Sequence, residues 1–184
     1  NWSLESGYDV IAFSDDIVTV VFSFWTFTGE SEGSISYETV TAATDGSGTV
    51  YTFADMFQTS PAALDALANA VREAVAEELT QRTEQPYTAD DLARIITSDP
   101  ANFQNVALSP SVAYFYYGSG DVAPDDIGPI EISLRLRDLA PVLQPAFIPA
   151  HITEANNALP SDAIPNGTTT TETRPITVLA GDHL

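Results

Sequence analysis

The chain has 184 residues, and its six basic residues, all arginine, stand against 26 Asp and Glu, giving a formal net charge of −20. That balance opposes binding to nucleic acid or anionic lipid, which relies on clustered Lys and Arg meeting phosphate. Cysteine is absent, which removes disulfides, thiol catalysis, cysteine zinc sites and iron–sulfur clusters. A chain of this size is expected to form one domain that buries roughly 70% of its unfolded surface.

The missing lysine, together with 12 prolines, reads as a GC-rich coding bias. Halophilic adaptation also gives acidic, lysine-poor chains, but 17% charged residues is a lighter acid load than that adaptation implies. No run of 18 apolar residues occurs, and no basic segment followed by an apolar one stands at the start, so a soluble chain is expected. Beginning at Asn1-Trp2-Ser3 without Met, it reads as a processed or excised piece.

Tyr8 to Thr28 is rich in Val, Ile, Phe, Trp and Thr and is broken at Ser14-Asp15-Asp16, which predicts two strands joined by a tight turn. In the second strand Val18, Val20, Phe22, Phe24 and Thr26 share one face, read as core, and Thr19, Val21, Ser23, Trp25 and Phe27 share a mixed one. Ser34 to Thr44 and Gly48 to Phe53 flank Asp45-Gly46-Ser47-Gly48, whose glycines supply the positive φ of a hairpin turn.

The period then changes. Ser60-Pro61 is an N-cap followed by proline at the first helical position, and Leu64, Leu67, Ala68, Val71, Val75 and Leu79 recur at helical spacing. A long amphipathic helix over about 61–82 is expected, with a short one from Thr88 to just before Asp99-Pro100 carrying Leu92, Ile95 and Ile96. Strands follow at Phe103 to Leu108, Ser111 to Tyr117 and Ile130 to Leu136, with a Gly-rich loop at 118–128 and a helical turn at 138–143. From Pro145 to 175 the composition shifts to Pro, Ala, Asn and Thr, which predicts an extended tail, with Ile176 to Leu179 as an added strand. The expected class is α+β, an antiparallel sheet packed by the long and the short helix, with a domain over 1–145 and a tail over 146–184.

Chemistry-bearing patterns are few. Gly29-Glu30-Ser31-Glu32-Gly33 matches the G-x-S-x-G elbow of serine hydrolases and follows a strand, but a β-type segment follows it where the elbow needs a helix. Glu30 and Glu32 would also oppose a developing oxyanion, and only His151 and His183 could serve as base. The pairs Asp15-Asp16, Asp90-Asp91 and Asp125-Asp126 read as turns and helix starts, because neighbours in a strand point to opposite faces and cannot form a catalytic pair across a cleft.

Ser119, Asp121, Asp125 and Asp126 lie in one Gly-flanked loop with oxygen donors suited to calcium, but the spacing does not fit the EF-hand pattern. Tyr114-Phe115-Tyr116-Tyr117 reads as a central strand with tyrosine hydroxyls at its rim, or as a platform for stacking sugars. Candidate binding residues are therefore Tyr114, Tyr116, Asp121, Asp125 and Asp126. No catalytic residue, metal or cofactor is expected. Asn1-Trp2-Ser3 and Asn166-Gly167-Thr168 fit the N-glycosylation pattern, which matters only in a eukaryotic source.

Thr52-Phe53-Ala54-Asp55-Met56-Phe57 resembles the "s-L-x-D-L-F" element of the RsiV-like domain family of bacterial envelope proteins. Asn102-Phe103, Leu108-Ser109 and Val112 to Tyr117 resemble its "N-F-x-x-x-x-L-s-x-x-x-L-x-F-x-F" stretch. Gly128-Pro129-Ile130-Glu131-Ile132 running to Asp138-Leu139 resembles its closing "G-x-x-x-V-x-I-P-x-x-x-L". The order and spacing cover about residues 8–145. The family includes the extracellular part of anti-sigma factors that bind lysozyme, segments beside peptidoglycan deacetylase domains, and secreted mycobacterial immunogenic proteins; this chain resembles the last, secreted actinobacterial branch most.

The resemblance implies a binding or structural module outside the cell or in the envelope, with a protein or cell-wall glycan as partner and lysozyme as one candidate. The family's Gly-Gly-Ala-His-Gly loop is replaced by Gly29 to Gly33, without its histidine. Nothing in the sequence resembles the sigma-binding segment or the membrane anchor. Membrane attachment would need a segment outside this sequence. Alternatives are an envelope hydrolase built on Ser31 or on carboxylates, and assembly of subunits through the C-terminal strand.

Overall fold

The computed structural model describes residues 2–29 and 33–152. The strand expected at Ile176 to Leu179 lies outside them. The elements run β1 (Ser3–Ser14), β2 (Ile17–Phe27), β3 (Ser34–Ala43), β4 (Val50–Tyr51), α1 (Phe53–Met56), α2 (Pro61–Thr83), β5 (Val106–Leu108), β6 (Val112–Tyr117), β7 (Ile130–Arg135) and α3 (Leu136–Leu139). The class is α+β. The strands divide between two antiparallel sheets, ordered β1-β2-β3-β4 and β5-β6-β7, where the element order alone suggests one.

Helix α2 forms as its sequence dictates. Ser60 accepts from the Ala63 amide at 3.3 Å and Pro61 takes the first position. The expected apolar stripe, Leu64, Leu67, Ala68, Val71, Val75 and Leu79, is buried. Ala74, Ala76 and Glu78 are buried as well, because the helix is covered on two sides. One side meets β7. The other meets the segment after the helix, where Arg72 donates to the Ile96 carbonyl and Ser98 to Asp65.

That segment is not the short helix expected at Thr88. Asp91 does accept from the Thr88 amide and hydroxyl, as a capping box requires, but the bonds that follow are mostly three-residue turns, Asp91 to Thr88, Leu92 to Ala89 and Ala93 to Asp90, with a single four-residue bond from Ile96 to Leu92. Successive Asp and then Ile-Ile-Thr are weak helix formers, and a segment this short cannot repay nucleation. Leu92 and Ile96 still reach the core, and Ile95 stays exposed.

The main core lies between α2 and the three-stranded sheet. Phe57 stacks on Phe53 with centroids 4.9 Å apart, and Phe115 packs between Phe57 and Phe103. Packing continues past Pro145: Phe147, which contacts Phe13 and Tyr51, and Ile152 are both buried in this core.

The four-stranded sheet packs its other way round. Its buried face carries Thr19, Val21, Tyr37 and Thr41, which corrects the expectation that Val18, Val20, Phe22, Phe24 and Thr26 form the core face of β2. The Thr19 and Thr41 hydroxyls bond each other at 2.9 Å, so two polar side chains can be buried without cost to unpaired groups. A bulge between Ala12 and Ser14 at the end of β1 accompanies burial of Phe13.

Candidate interaction surface

The acidic loop after β6 is built by its own glycines and by β3. Gly118 lies so close to β3 that an added Cβ would sit 2.6 Å from the Ile35 carbonyl oxygen. Next to it, the Ser119 amide donates to that carbonyl at 2.7 Å, and the Ser119 hydroxyl accepts from the Ile35 amide. The Asp121 carboxylate accepts from the Gly118 amide at 2.6 Å, closing the turn. Asp125 stands against Gly120, whose φ of +83° favours glycine.

Ser119 and Asp121 therefore spend oxygen atoms on the backbone, and Asp125 and Asp126 remain exposed. Among the described residues no three His, Cys, Asp or Glu side chains are grouped to hold a metal ion. The loop is a solvated anionic corner anchored by buried Val122.

Strand β6 alternates as β-structure must. Ala113, Phe115 and Tyr117 enter the main core, whereas Tyr116 faces the four-stranded sheet with Val21, Tyr37 and Ala107. Its ring lies 5.3 Å from that of Tyr37, tilted by 45°. Burial, reinforced by Glu131, pushes the Tyr37 phenol up to about 12, with Arg82 opposing and Asp9 adding. The same burial and the same carboxylate push Tyr116 well above the ordinary phenol range.

Tyr116 is covered and so offers no ring for stacking a sugar, while Tyr114 is half-buried beside this cluster. The Tyr117 hydroxyl is buried without a hydrogen-bond partner, and burial followed by Asp121 raises its pKa. Among the described residues no hydrogen bond or ring contact joins Tyr114 or Tyr116 to Asp125 or Asp126. The candidate residues thus fall into two groups, a tyrosine cluster and an acidic corner. Sequence reasoning missed Tyr37, Asp9 and Glu131, whose only signals were their inner-face positions on β3 and β1 and the register of Glu131 opposite Tyr116.

Ser31, Glu30, Glu32 and His183 lie outside the described residues. His151 is exposed. A cavity of about 80 Å³ lies between α2 and β7, lined by Ala70, Val112, Ser133 and Leu134 among others. Ligand pockets are typically several hundred Å³.

The outer face of the four-stranded sheet is a surface the sequence did not point to. Register places Val10, Val20 and Val40 in one row, Tyr8, Phe22 and Glu38 in the next, and Ser6, Phe24 and Ser36 beyond. On the other side Ala12, Val18, Ala42 and Val50 form a fourth row. Tyr8 is 71% exposed, Val10 58% and Val40 42%, and the Phe22 and Phe24 rings stack on each other at 6.5 Å. Across these four rows Glu38 is the one charged residue, in a chain with 26 carboxylates. Beside this face, β1 is an edge strand: among the described residues only β2 pairs with it.

Residues 54–137 match the family described as "Protein of unknown function (DUF3298)". The match runs from α1 into α3 and leaves β1 to β4 outside. No curated protein matches the chain. A DUF3298 family protein of Pseudomonas aeruginosa PAO1 has a similar structure, with a TM-score of 0.56 and 18% identity, covering 81% of this chain and 65% of its own. A member of the same family from Bacteroides fragilis NCTC 9343 gives a TM-score of 0.58 and 18% identity, covering 79% of this chain and 56% of its own.

This likeness concerns the fold. The chain spans less than two thirds of the length of either solved DUF3298 protein. The part that matches DUF3298 holds most of the closed core, the tyrosine strand and the acidic corner, and the open sheet face precedes it.

Proposed function

We propose that this chain is a non-catalytic protein-binding module of the RsiV-like type, working in the envelope or outside the cell of a GC-rich bacterium of actinobacterial type. The observation that carries the reading is the outer face of the four-stranded sheet: rows of valine and phenylalanine, nearly free of charge, left open by the described part of an otherwise acidic molecule. Contiguous exposed apolar patches on soluble domains mark interaction sites. The scarcity of polar side chains on these rows, with Ser6, Ser36 and Glu38 the exceptions, favours a protein partner over a cell-wall glycan, which needs convergent polar groups to orient its hydroxyls.

The net charge supports a cationic partner, because complementary charge speeds encounter. A c-type lysozyme is such a protein and is the partner class that the RsiV resemblance suggests. The test is calorimetric titration of c-type lysozyme into the chain at about 150 mM and about 500 mM salt, where surface electrostatics is largely screened at the higher value. Binding that persists at high salt and weakens at least tenfold in Val10→Asp supports a shaped apolar interface. Binding absent at both, or lost on adding salt, removes lysozyme as partner, and binding unaffected by Val10→Asp removes the sheet face.

A further inference from the structure

Strand β1 is a long edge with an unusual composition. Long apolar edges template pairing with another chain and are normally blunted by charged side chains, lysine above all, by proline or by a mid-strand bulge; the only charges on β1 are Glu5 and Asp9, both on its inner face. Over Ser3–Ser14 there is no lysine or proline, and the register shift falls at the far end, between Ala12 and Ser14. Leu4, Tyr8 and Val10 are 60%, 71% and 58% exposed and lie on one face, with Trp2, 77% exposed, just before the strand, while Glu5 and Asp9 lie on the other face.

We propose that β1 pairs antiparallel with β1 of a second copy of this chain about a two-fold axis through Ser6, joining two four-stranded sheets into one of eight strands. The choice of a second copy and of this register follows from which side chains would meet. Antiparallel pairing about Ser6 sets Leu4 opposite the partner's Tyr8 and Trp2 opposite the partner's Val10, twice each by symmetry. Aromatic–aliphatic cross-strand pairs of this kind are the favourable unit of sheet stabilisation. Glu5 then faces Gly7 and Asp9 faces Ser3, so no carboxylate stands directly opposite another.

A shift of the axis to Gly7 sets Glu5 against Asp9, a directly opposed like-charge pair. A shift to Tyr8 sets Leu4 against Ala12 and loses both aromatic–aliphatic pairs. The Ser6 register leaves Glu5 and Asp9 of both copies diagonal to one another on the inner face. Salt therefore strengthens this association, the reverse of its effect on a contact driven by opposite charges. The dimer leaves the outer faces on the same side of one sheet and doubles the apolar surface, so the inference goes beyond single-chain binding without requiring it.

The absence of native cysteine makes the register directly testable. At a two-fold centre the two Ser6 Cα atoms would lie about 4.5–5.5 Å apart, within the range a disulfide spans. The two Val10 Cα atoms would lie about 27 Å apart at the rise of an antiparallel strand. The experiment is sedimentation of the full chain up to about 200 μM at low and high salt, with oxidative cross-linking of Ser6→Cys, Tyr8→Cys and Val10→Cys. The expected result is a mass of twice 19.7 kDa that grows with salt, cross-linking of Ser6→Cys at least tenfold over the other two, and a monomer for Leu4→Lys with Tyr8→Lys. A monomer at every concentration overturns the proposal, and cross-linking through Tyr8→Cys in preference to Ser6→Cys overturns its register. Because the readout is mass and cross-link position without any added partner, its failure is separate from a failure to bind lysozyme.

Discussion

The two sheets of this protein draw on the same residue types and meet opposite fates. In the three-stranded sheet Ile130, Ile132 and Phe115 are fully covered by α2 and its aromatic neighbours. In the four-stranded sheet Tyr8, Val10, Phe22, Phe24 and Val40 lie on a face that no other described element covers. Identity of the side chain does not decide burial here; the presence of a covering layer does. One sheet holds the fold together, and the other presents a surface.

The sharpest way to break that contrast is truncation on both sides of it. Phe57→Ala removes a fully buried ring that stacks on Phe53 and meets Phe115, and is expected to lose about 4 kcal/mol of unfolding free energy. Phe22→Ala on the open face is expected to lose about 1 kcal/mol. Urea denaturation of both variants measures the difference, and equal losses would show that the open face is packed.

Next in size is the pair that fixes α2 to the start of β7. Glu78 is 4% exposed and accepts from Arg82 Nε at 2.6 Å, while another Arg82 nitrogen donates to the Pro129 carbonyl. Arg82→Met leaves that buried carboxylate without its cation, and about 3 kcal/mol is the expected loss. A loss below about 0.5 kcal/mol would place the pair with ordinary surface bridges.

Alkaline pH tests the seam between the sheets. Burial, then Glu131, pushes the Tyr37 phenol from its ordinary 10.0 up to about 12 in the folded chain, so the folded state holds its proton more tightly. Its stabilising contribution is complete below pH 10.0 and is lost as pH rises toward about 12. Stability should therefore fall across that window, and Tyr37→Phe should flatten the fall, as followed by denaturant midpoints at each pH. The smallest effect is local: Ser60→Ala removes the cap on the Ala63 amide and should cost about 1 kcal/mol.

Much of this was legible in the sequence where local rules act alone. Ser60-Pro61 and the three- and four-residue spacing of Leu64 to Leu79 set α2 to within a residue of its observed end at Thr83. Asp45-Gly46-Ser47-Gly48 marked the second hairpin, with positive φ at both glycines. The face of β2 reads the other way in the sequence because its more apolar side, Val18 to Thr26, is the one left open, and because Thr19 looks solvent-seeking until Thr41, a non-local partner, satisfies its hydroxyl. The segment after Thr88 carries a true capping box but lacks the helix formers to continue it.

The candidate site was legible as residues and not as a site. Tyr116 is identifiable on its strand, but the ring that covers it belongs to Tyr37, far away in sequence. Asp121 reads as a free ligand until Gly118 is seen donating to it. Such pairings depend on register between sheets, which no local window contains.

The central claim is that the Val10–Val20–Val40 row faces solvent while the neighbouring Thr19–Val21 side is core. Thermal unfolding of Val40→Asp beside Val21→Asp tests it most directly, since Val40 is 42% exposed and Val21 only 4%. The account predicts that Val40→Asp keeps its midpoint within a few degrees of the parent, roughly the effect of 1 kcal/mol or less, and that Val21→Asp unfolds or loses most of its stability. Comparable collapse of Val40→Asp would mean that the outer face is itself buried in the free protein, and would contradict the docking surface proposed here.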